Sequence, residues 1–209
     1  MRILIVGLAV ISAAYALWSV GMRRSATVRL EPAGYDLSYT IAWGWGMEEK
    51  FTLARVGALL PGPSSEWMEI WKKPYNSGLA VYRSDAGTYY FGSIYKLFIF
   101  EPLKGALRVS CSADDVPART PFGMQLSNSG YSAANETIDP GARHLFTYIE
   151  TNQNRGSVPE LPSDSRYYAD LKYLGKFGLV RSEGRGNEIR FVRPSSVPEP
   201  RLALSVQCG

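Results

Sequence analysis

The chain has 209 residues, of which 12 % are aromatic and 20 % are charged, and its formal net charge is +4 at pH 7. This composition is typical of a folded globular protein and excludes a disordered chain. Because Arg2, Arg23 and Arg24 flank one N-terminal segment, the rest of the chain is close to neutral and lacks the basic stripe of a nucleic-acid-binding domain, so we expect no nucleic-acid partner.

The most specific pattern is the uncharged run from Ile3 to Met22. Its twenty residues would form a helix of about 30 Å, which is the thickness of the hydrocarbon core of a bilayer. The run predicts an N-terminal transmembrane helix over residues 3–22 that anchors the chain in a membrane. A signal peptide is the alternative, since Ala14–Ala16 form a small-x-small cleavage site and the chain would be cut after Ala16.

The two cysteines, Cys111 and Cys208, indicate the compartment. An even number suits one disulfide in an oxidising environment, whereas two reduced, buried thiols are the alternative. We therefore divide the chain into residues 1–24, a signal anchor or signal peptide, and residues 25–209, one extracytoplasmic domain. We expect the domain in a bacterial periplasm, held at the inner membrane or released after cleavage.

The domain is predicted to be an α+β fold dominated by an antiparallel sheet. In Tyr35–Trp45 large apolar residues alternate with small or polar ones, which predicts a long, half-buried strand. A turn at 46–50 and a second strand at 51–60 should follow, although the apolar residues of 53–60 also suit one helical face. Further strands are expected at residues 79–83, 88–95, 96–101, 106–112, 144–151, 177–181, 188–193 and 202–208.

Two short helices are predicted within this domain. The first lies between Pro61 and Pro74, where acidic residues come early, lysines come late and apolar residues keep helical spacing. The second covers Ser163–Gly175, with a serine cap at its start and Gly175 in the left-handed closing position. The segments 112–135 and 152–162 are expected to be long loops.

No catalytic or ligand motif is present. His144 is the only histidine and no G-x-S-x-G element accompanies it. Histidine and cysteine are too few for a structural zinc centre, and no phosphate-binding or dinucleotide-binding glycine motif occurs. We therefore expect no cofactor, no bound metal and a protein that is not an enzyme.

The preferred hypothesis is a membrane-anchored envelope protein that binds another protein in the periplasm, for instance as an immunity or inhibitor protein. Recognition is more often carried by loops on a rigid scaffold than by strands. The contact surface is therefore expected on the two long loops and the glycine-rich turn at 182–187. Its candidate residues are Asp114, Asp115, Arg119, Asn128, Arg155 and Arg185.

Two alternatives belong to other classes of function. A carbohydrate-binding or peptidoglycan-binding module would use an aromatic platform of Trp43, Trp45, Trp67 and Trp71, although core packing is the commoner role of such side chains. An envelope hydrolase would use two carboxylates at a suitable separation. Its candidates are the pair Asp114 and Asp115 or the pair Glu48 and Glu49.

Overall fold

The structure is a computed structural model that describes residues 2–43, 46–70, 78–93, 96–110, 162–165, 168–182, 186–193 and 199. Within these ranges the chain forms one helix, α1 (Arg2–Gly21), and eleven strands. The strands are β1 (Arg23–Leu30), β2 (Tyr35–Trp43), β3 (Met47–Arg55), β4 (Met68–Ile70), β5 (Leu79–Ser84), β6 (Tyr89–Gly92), β7 (Leu97–Glu101), β8 (Ala106–Val109), β9 (Ser163–Asp164), β10 (Leu171–Ser182) and β11 (Gly186–Val192).

The strands form two antiparallel sheets. Sheet A has the order β1-β2-β3-β4, and sheet B has the order β11-β10-β5-β6-β7-β8 with β9 paired to β10. Apolar side chains of both sheets share one core, and β1 lies against β11. The β-dominated antiparallel fold predicted from the sequence is therefore confirmed at this level.

Strand β2 supplies the centre of this core as its alternation predicts. Leu37, Tyr39 and Ile41 are fully buried, whereas Ser38 and Thr40 between them are half-buried. The Tyr39 ring stacks on Phe177 of sheet B at 5.2 Å between centroids. Such aromatic pairs stabilise a core by about 0.5–1.5 kcal/mol beyond the area they bury.

Strand β3 differs from its prediction in both bounds. It begins at Met47, directly opposite Trp43, so residues 48–50 extend the strand and do not form a turn. It ends at Arg55, and the helical alternative for 53–60 is wrong. The alternation of Phe51 and Leu53 continues back through Glu49, which consequently faces the core.

The helix predicted between Pro61 and Pro74 is wrong as far as the structure describes this segment. Leu53 N–H donates to Pro63 O at 2.8 Å and Ser65 N–H donates to Phe51 O at 3.0 Å, so the chain follows β3 and then forms β4. A Cβ at Gly62 would lie 2.4 Å from Leu53 O, which is too close for any other residue. Pairing with β3 outweighs the local helical spacing.

The helix predicted over Ser163–Gly175 is also wrong, because β10 takes this region into sheet B between β5 and β11. Asp170 has a left-handed backbone with φ 58°, and the register shifts between Tyr173 and Gly175. Gly175 has φ 137°, and a Cβ there would lie 2.3 Å from Val192 O. This glycine serves a β-bulge, not a helix cap.

The hairpins of sheet B agree with their predictions. Gly87, with φ 84°, closes the turn between β5 and β6 by donating its N–H to Ser84 O at 3.0 Å. In β7 four successive apolar residues, 97–100, are all buried, as expected for a strand covered on both faces. Strand β8 follows it directly, and β10 pairs with β11 as the last predicted hairpin requires.

Helix α1 continues into β1 through Met22, whose carbonyl accepts a hydrogen bond from Trp43 N at 2.9 Å. Residues 10–18 of the helix are all exposed. A helix is therefore present where one was predicted. In the part of the chain that is described, however, no helix is long and apolar enough to span a bilayer, so the predicted transmembrane helix is not found.

Several predictions fall on residues outside the described ranges. They include Cys111 and Cys208 with their disulfide, most of the two long loops, and the strands expected at 144–151 and 202–208. These stay predictions.

Candidate functional site

The structure describes some of the side chains proposed from the sequence and leaves others outside its described ranges. All six candidate contact residues, from Asp114 to Arg185, lie outside the described ranges, as do Trp45 and Trp71. Trp43 is half-buried and packs against the core, which is the ordinary role of an aromatic residue. Trp67 differs because its side chain is 37 % exposed. It lines a pocket that forms a candidate site.

This pocket, which we name the Glu49 pocket, has a volume of about 300 Å³. It lies where β4, at the edge of sheet A, approaches the turn between β6 and β7 of sheet B. Its described lining consists of Glu49, Glu66, Trp67, Met68, Glu69, Ser93 and Lys96. A volume of about 300 Å³ is at the lower end of the range for small-molecule sites.

The register of sheet A places Glu49 at the inner wall of this pocket. Glu49 of β3 pairs with Met68 of β4, and both side chains point to the core face. Glu49 is only 2 % exposed. The Tyr39 hydroxyl donates to its Oε2 at 2.5 Å, and the Gly78 N–H donates to the same oxygen at 3.0 Å. The carboxyl therefore joins two strands of sheet A to the start of β5.

Burial changes the acidity of this pair. Loss of solvation raises the pKa of Glu49 to about 7, although the hydrogen bonds from Tyr39 and Gly78 act in the opposite direction. Burial, with the negative charge of Glu49 as the second cause, raises the pKa of Tyr39 well above its usual value. At neutral pH the phenol is thus a hydrogen-bond donor and the carboxyl is present in both protonation states.

An ion pair between Lys96 and Glu66 closes one side of the pocket mouth. The position of Lys96 is fixed by the β6–β7 turn, in which Ser93 N–H donates to Lys96 O at 2.8 Å and Lys96 N–H donates to Ser93 Oγ at 3.0 Å. The Lys96 ammonium and the Glu66 carboxylate both keep contact with solvent. The mouth of the pocket therefore carries two opposite charges that pair with each other.

The Trp67 ring lies close to two cations outside the lining of the pocket. The Arg23 guanidinium is 5.6 Å and the Lys50 ammonium 5.8 Å from the ring centroid. Arg23 is the first residue of β1, so this contact links Trp67 to the end of α1. Distances below about 6 Å are those of cation–π interactions.

A second surface lies at the opposite end of sheet A. Val56, Leu59 and Leu60 in the loop after β3, and Leu103 in the β7–β8 turn, expose large apolar side chains, and we name these four residues the leucine rim. Leu59 and Leu103 are fully exposed and Leu60 is 80 % exposed. Arg55, which precedes the loop, pairs with Tyr35, whereas Arg23 beside α1 pairs with Ala42. The rim and the helix are thus at opposite ends of the strands.

A second group of buried polar side chains covers the face of sheet B that points away from sheet A. Glu199, which is buried, accepts a hydrogen bond from Ser165 Oγ at 2.5 Å. Burial, with the charge of Glu199 as a smaller cause, raises the pKa of Tyr82 and Tyr173 well above its usual value. Lys176 is 1 % exposed, and burial lowers its pKa to about 8. These side chains were not predicted, because their burial depends on strand pairing across more than 80 residues of sequence.

Glu49 was considered from the sequence only as half of an adjacent acidic pair in a turn. The signal that could have identified it is the period-two pattern of Met47, Glu49, Phe51 and Leu53, in which one acidic residue occupies a position of the buried face. Glu48, its neighbour, points to the other face and does not line the pocket.

The described side chains contain no group of three or more His, Cys, Asp or Glu residues placed to hold a metal ion. The described lining of the pocket offers carboxyl groups, an ammonium group and an aromatic ring for binding.

Comparison of the chain with protein-family models, with curated proteins and with solved structures finds no match.

Proposed function

We propose that this chain is a non-catalytic protein that acts outside the cytoplasm and binds another protein through the leucine rim. The observation that carries the proposal is the full exposure of Leu59 and Leu103 at one end of the two-sheet body. Burying one leucine side chain stabilises a contact by about 1.5–3 kcal/mol. Exposed apolar side chains that form one patch are a common mark of protein–protein contact surfaces, and we propose that the rim leucines form such a patch.

The backbone beneath the rim is held by hydrogen bonds. Val56 N–H donates to Gly34 O at 2.9 Å, and Ala58 N–H donates to Arg55 O at 2.9 Å. The other turn is fixed to sheet A because the Tyr35 hydroxyl donates to Pro102 O at 3.5 Å. A preformed surface loses less conformational entropy on binding, which favours tight association.

Charged groups flank the rim residues along the chain. The Lys104 ammonium pairs with the Glu101 carboxylate at 2.5 Å, and Arg55 lies over the Tyr35 ring. An apolar centre with a polar margin is the usual composition of a protein interface. The candidate residues on the two long loops and at Arg185 would extend this surface or form another one.

The N-terminal helix acts in this proposal as an export signal. Its described side chains from residue 10 to residue 18 are all exposed, and its apolar stretch exceeds the 7–15 residues that a signal peptide needs. Cleavage after Ala16 leaves Leu17 as the first residue of the mature protein. The domain is then periplasmic, and Cys111 and Cys208 form a disulfide there.

A photo-crosslinking amino acid placed at Leu59 or Leu103 tests the proposal in the native host. Both positions should yield one crosslinked protein of the same mass, because both lie on the rim. The same group at Ser25, which is exposed on β1, is the control and should yield none. Adducts of equal yield from all three positions, or none from Leu59 and Leu103, would contradict the proposal.

Of the four tryptophans of the predicted platform, Trp43 packs against the core and Trp67 has an exposed ring. Trp45 and Trp71 lie outside the described ranges, so carbohydrate binding stays a prediction. Hydrolysis by Asp114 and Asp115 concerns residues outside the described ranges and likewise stays a prediction.

A further inference from the structure

Among the described residues, hydrogen-bond donors reach only one oxygen of the Glu49 carboxyl. Tyr39 and Gly78 both donate to Oε2, and Glu49 also lines the pocket. Within the described ranges no cation pairs with this carboxyl. Lys96, the one lysine of the described lining, pairs with Glu66 instead. A buried carboxylate without a cation is costly, so the site favours either a proton or a cationic ligand.

The charges of the lining point in the same direction. Three of the lining residues are glutamates and one is a lysine, so the described lining has an excess of negative charge when its carboxyls are ionised. Trp67 and Met68 form the apolar part of the wall.

From the cavity, the one-sided hydrogen bonding and the charge of the lining, we infer that the Glu49 pocket is a second binding site, for the primary ammonium group of a small ligand. The ammonium donates to Glu49 Oε1, and the alkyl chain beside it packs against Trp67 and Met68. This site is at the other end of sheet A from the leucine rim and does not depend on the proposed protein partner.

Binding of an ammonium group at this position is coupled to the proton of Glu49. The Tyr39 hydroxyl from β2 and the Gly78 N–H before β5 contact this carboxyl directly. The other charged residues of the described lining are Glu66, Glu69 and Lys96. The ligand needs the ionised carboxylate, so its affinity rises with pH. With a pKa of about 7, the ionised fraction of Glu49 increases about tenfold between pH 6 and pH 8.

The test uses the full chain and n-butylammonium, with n-butanol as a neutral ligand of the same shape. Binding is followed through the NMR signal of the Trp67 indole N–H. We expect butylammonium to bind at least about tenfold more tightly than butanol at pH 8 and Glu49→Gln to remove this preference. Glu101→Gln, which removes a carboxylate in strand β7 outside the pocket lining, should change the affinity less than about twofold. Equal affinity for the two ligands, or an unchanged preference in Glu49→Gln, would overturn the inference.

A measurement on the unaltered protein keeps the test decisive if Glu49→Gln does not fold. Titrations of butylammonium at pH 6, 7 and 8 should show an affinity that rises about tenfold over the series, as the ionised fraction of Glu49 does. Calorimetry in buffers of different ionisation enthalpy should show proton release at pH 7. An affinity that is the same at pH 6 and pH 8 would contradict the site.

Discussion

The two ends of sheet A show opposite arrangements built on the same strands. At the end next to α1, a carboxyl is buried and held by Tyr39 and Gly78, and charged groups close the pocket over it. At the other end, Leu59 and Leu103 stand in solvent although the backbone beneath them is hydrogen-bonded. We propose a polar ligand for the end with the buried carboxyl and a protein partner for the end with the exposed leucines.

Both ends are built on strand β3. Strand β3 carries Glu49 near its start and ends at Arg55, immediately before the loop of the leucine rim. Between them Phe51 and Leu53 are fully buried in the core. The two candidate sites therefore lie at the two ends of one strand whose middle is buried in the core.

Replacement of Phe51 should have the largest effect, since this residue supports both ends. Its ring packs at 4.9 Å from Phe98 and 5.2 Å from Phe91. Phe51→Ala should lower the free energy of unfolding by about 3–5 kcal/mol, because a cavity remains in the core. Chemical denaturation measures this loss, and Phe51→Leu, which keeps most of the volume, is the control. A loss below about 1 kcal/mol for the alanine variant would contradict the shared core.

The pH dependence of stability distinguishes the pocket end from the rim. The pKa of Glu49 is about 7 in the folded state and near 4.5 in the unfolded state, so the folded state retains this proton more firmly. Its contribution is fully present below pH 4.5 and is lost as pH rises through 7, a total of about 3 kcal/mol. Urea unfolding between pH 4.5 and pH 8.5 measures it.

Glu49→Gln should remove this pH-dependent contribution, because glutamine does not titrate. The triple variant with serine at positions 59, 60 and 103 of the leucine rim should keep it. A Glu49→Gln profile that still falls by about 3 kcal/mol over the same range would assign the effect to another group.

Gly175→Ala tests the β-bulge in strand β10 of sheet B. The new Cβ would lie 2.3 Å from Val192 O at a backbone φ of 137°, so we expect a loss of about 1–3 kcal/mol or more. Gly178→Ala is the matched control on the same strand, since nothing lies within 4 Å of its added Cβ. Thermal unfolding of the two variants should separate them, and equal stability would contradict the bulge at Gly175.

The smallest effect on stability is expected at the leucine rim. Serine at positions 59, 60 and 103 should change the free energy of unfolding by less than about 0.5 kcal/mol, because these side chains make no core contact to lose. Circular dichroism during chemical denaturation checks this. A loss of several kcal/mol would mean that these leucines are structural and would remove the main support for a binding role.

Local patterns predicted the parts of the fold whose signal lies within a few residues. The alternation of β2, the turn that closes at Gly87 and the two-sided burial of β7 all follow from short-range periodicity or turn chemistry. The two helices in the body failed for a common reason. Their apolar spacing also fits edge or bulged strands, and pairing with β3, β5 and β11 decided the outcome.

The candidate sites were less accessible from the sequence than the fold. Trp67 was named as an aromatic platform residue, but its proximity to Glu49 depends on the β3–β4 pairing. The exposure of Leu59 and Leu103 has no local signal either, since leucines in a sequence predict burial. Both sites result from contacts between segments far apart in the chain.

The most direct test of the account is the affinity of the crosslinked partner for purified wild-type protein and for the triple variant with serine at positions 59, 60 and 103. We predict binding at least about 100-fold weaker for the variant, a loss of about 2.7 kcal/mol, while Glu49→Gln binds as the wild type does. Equal affinity of the wild type and the triple variant would contradict the proposal that the leucine rim is the protein-binding surface.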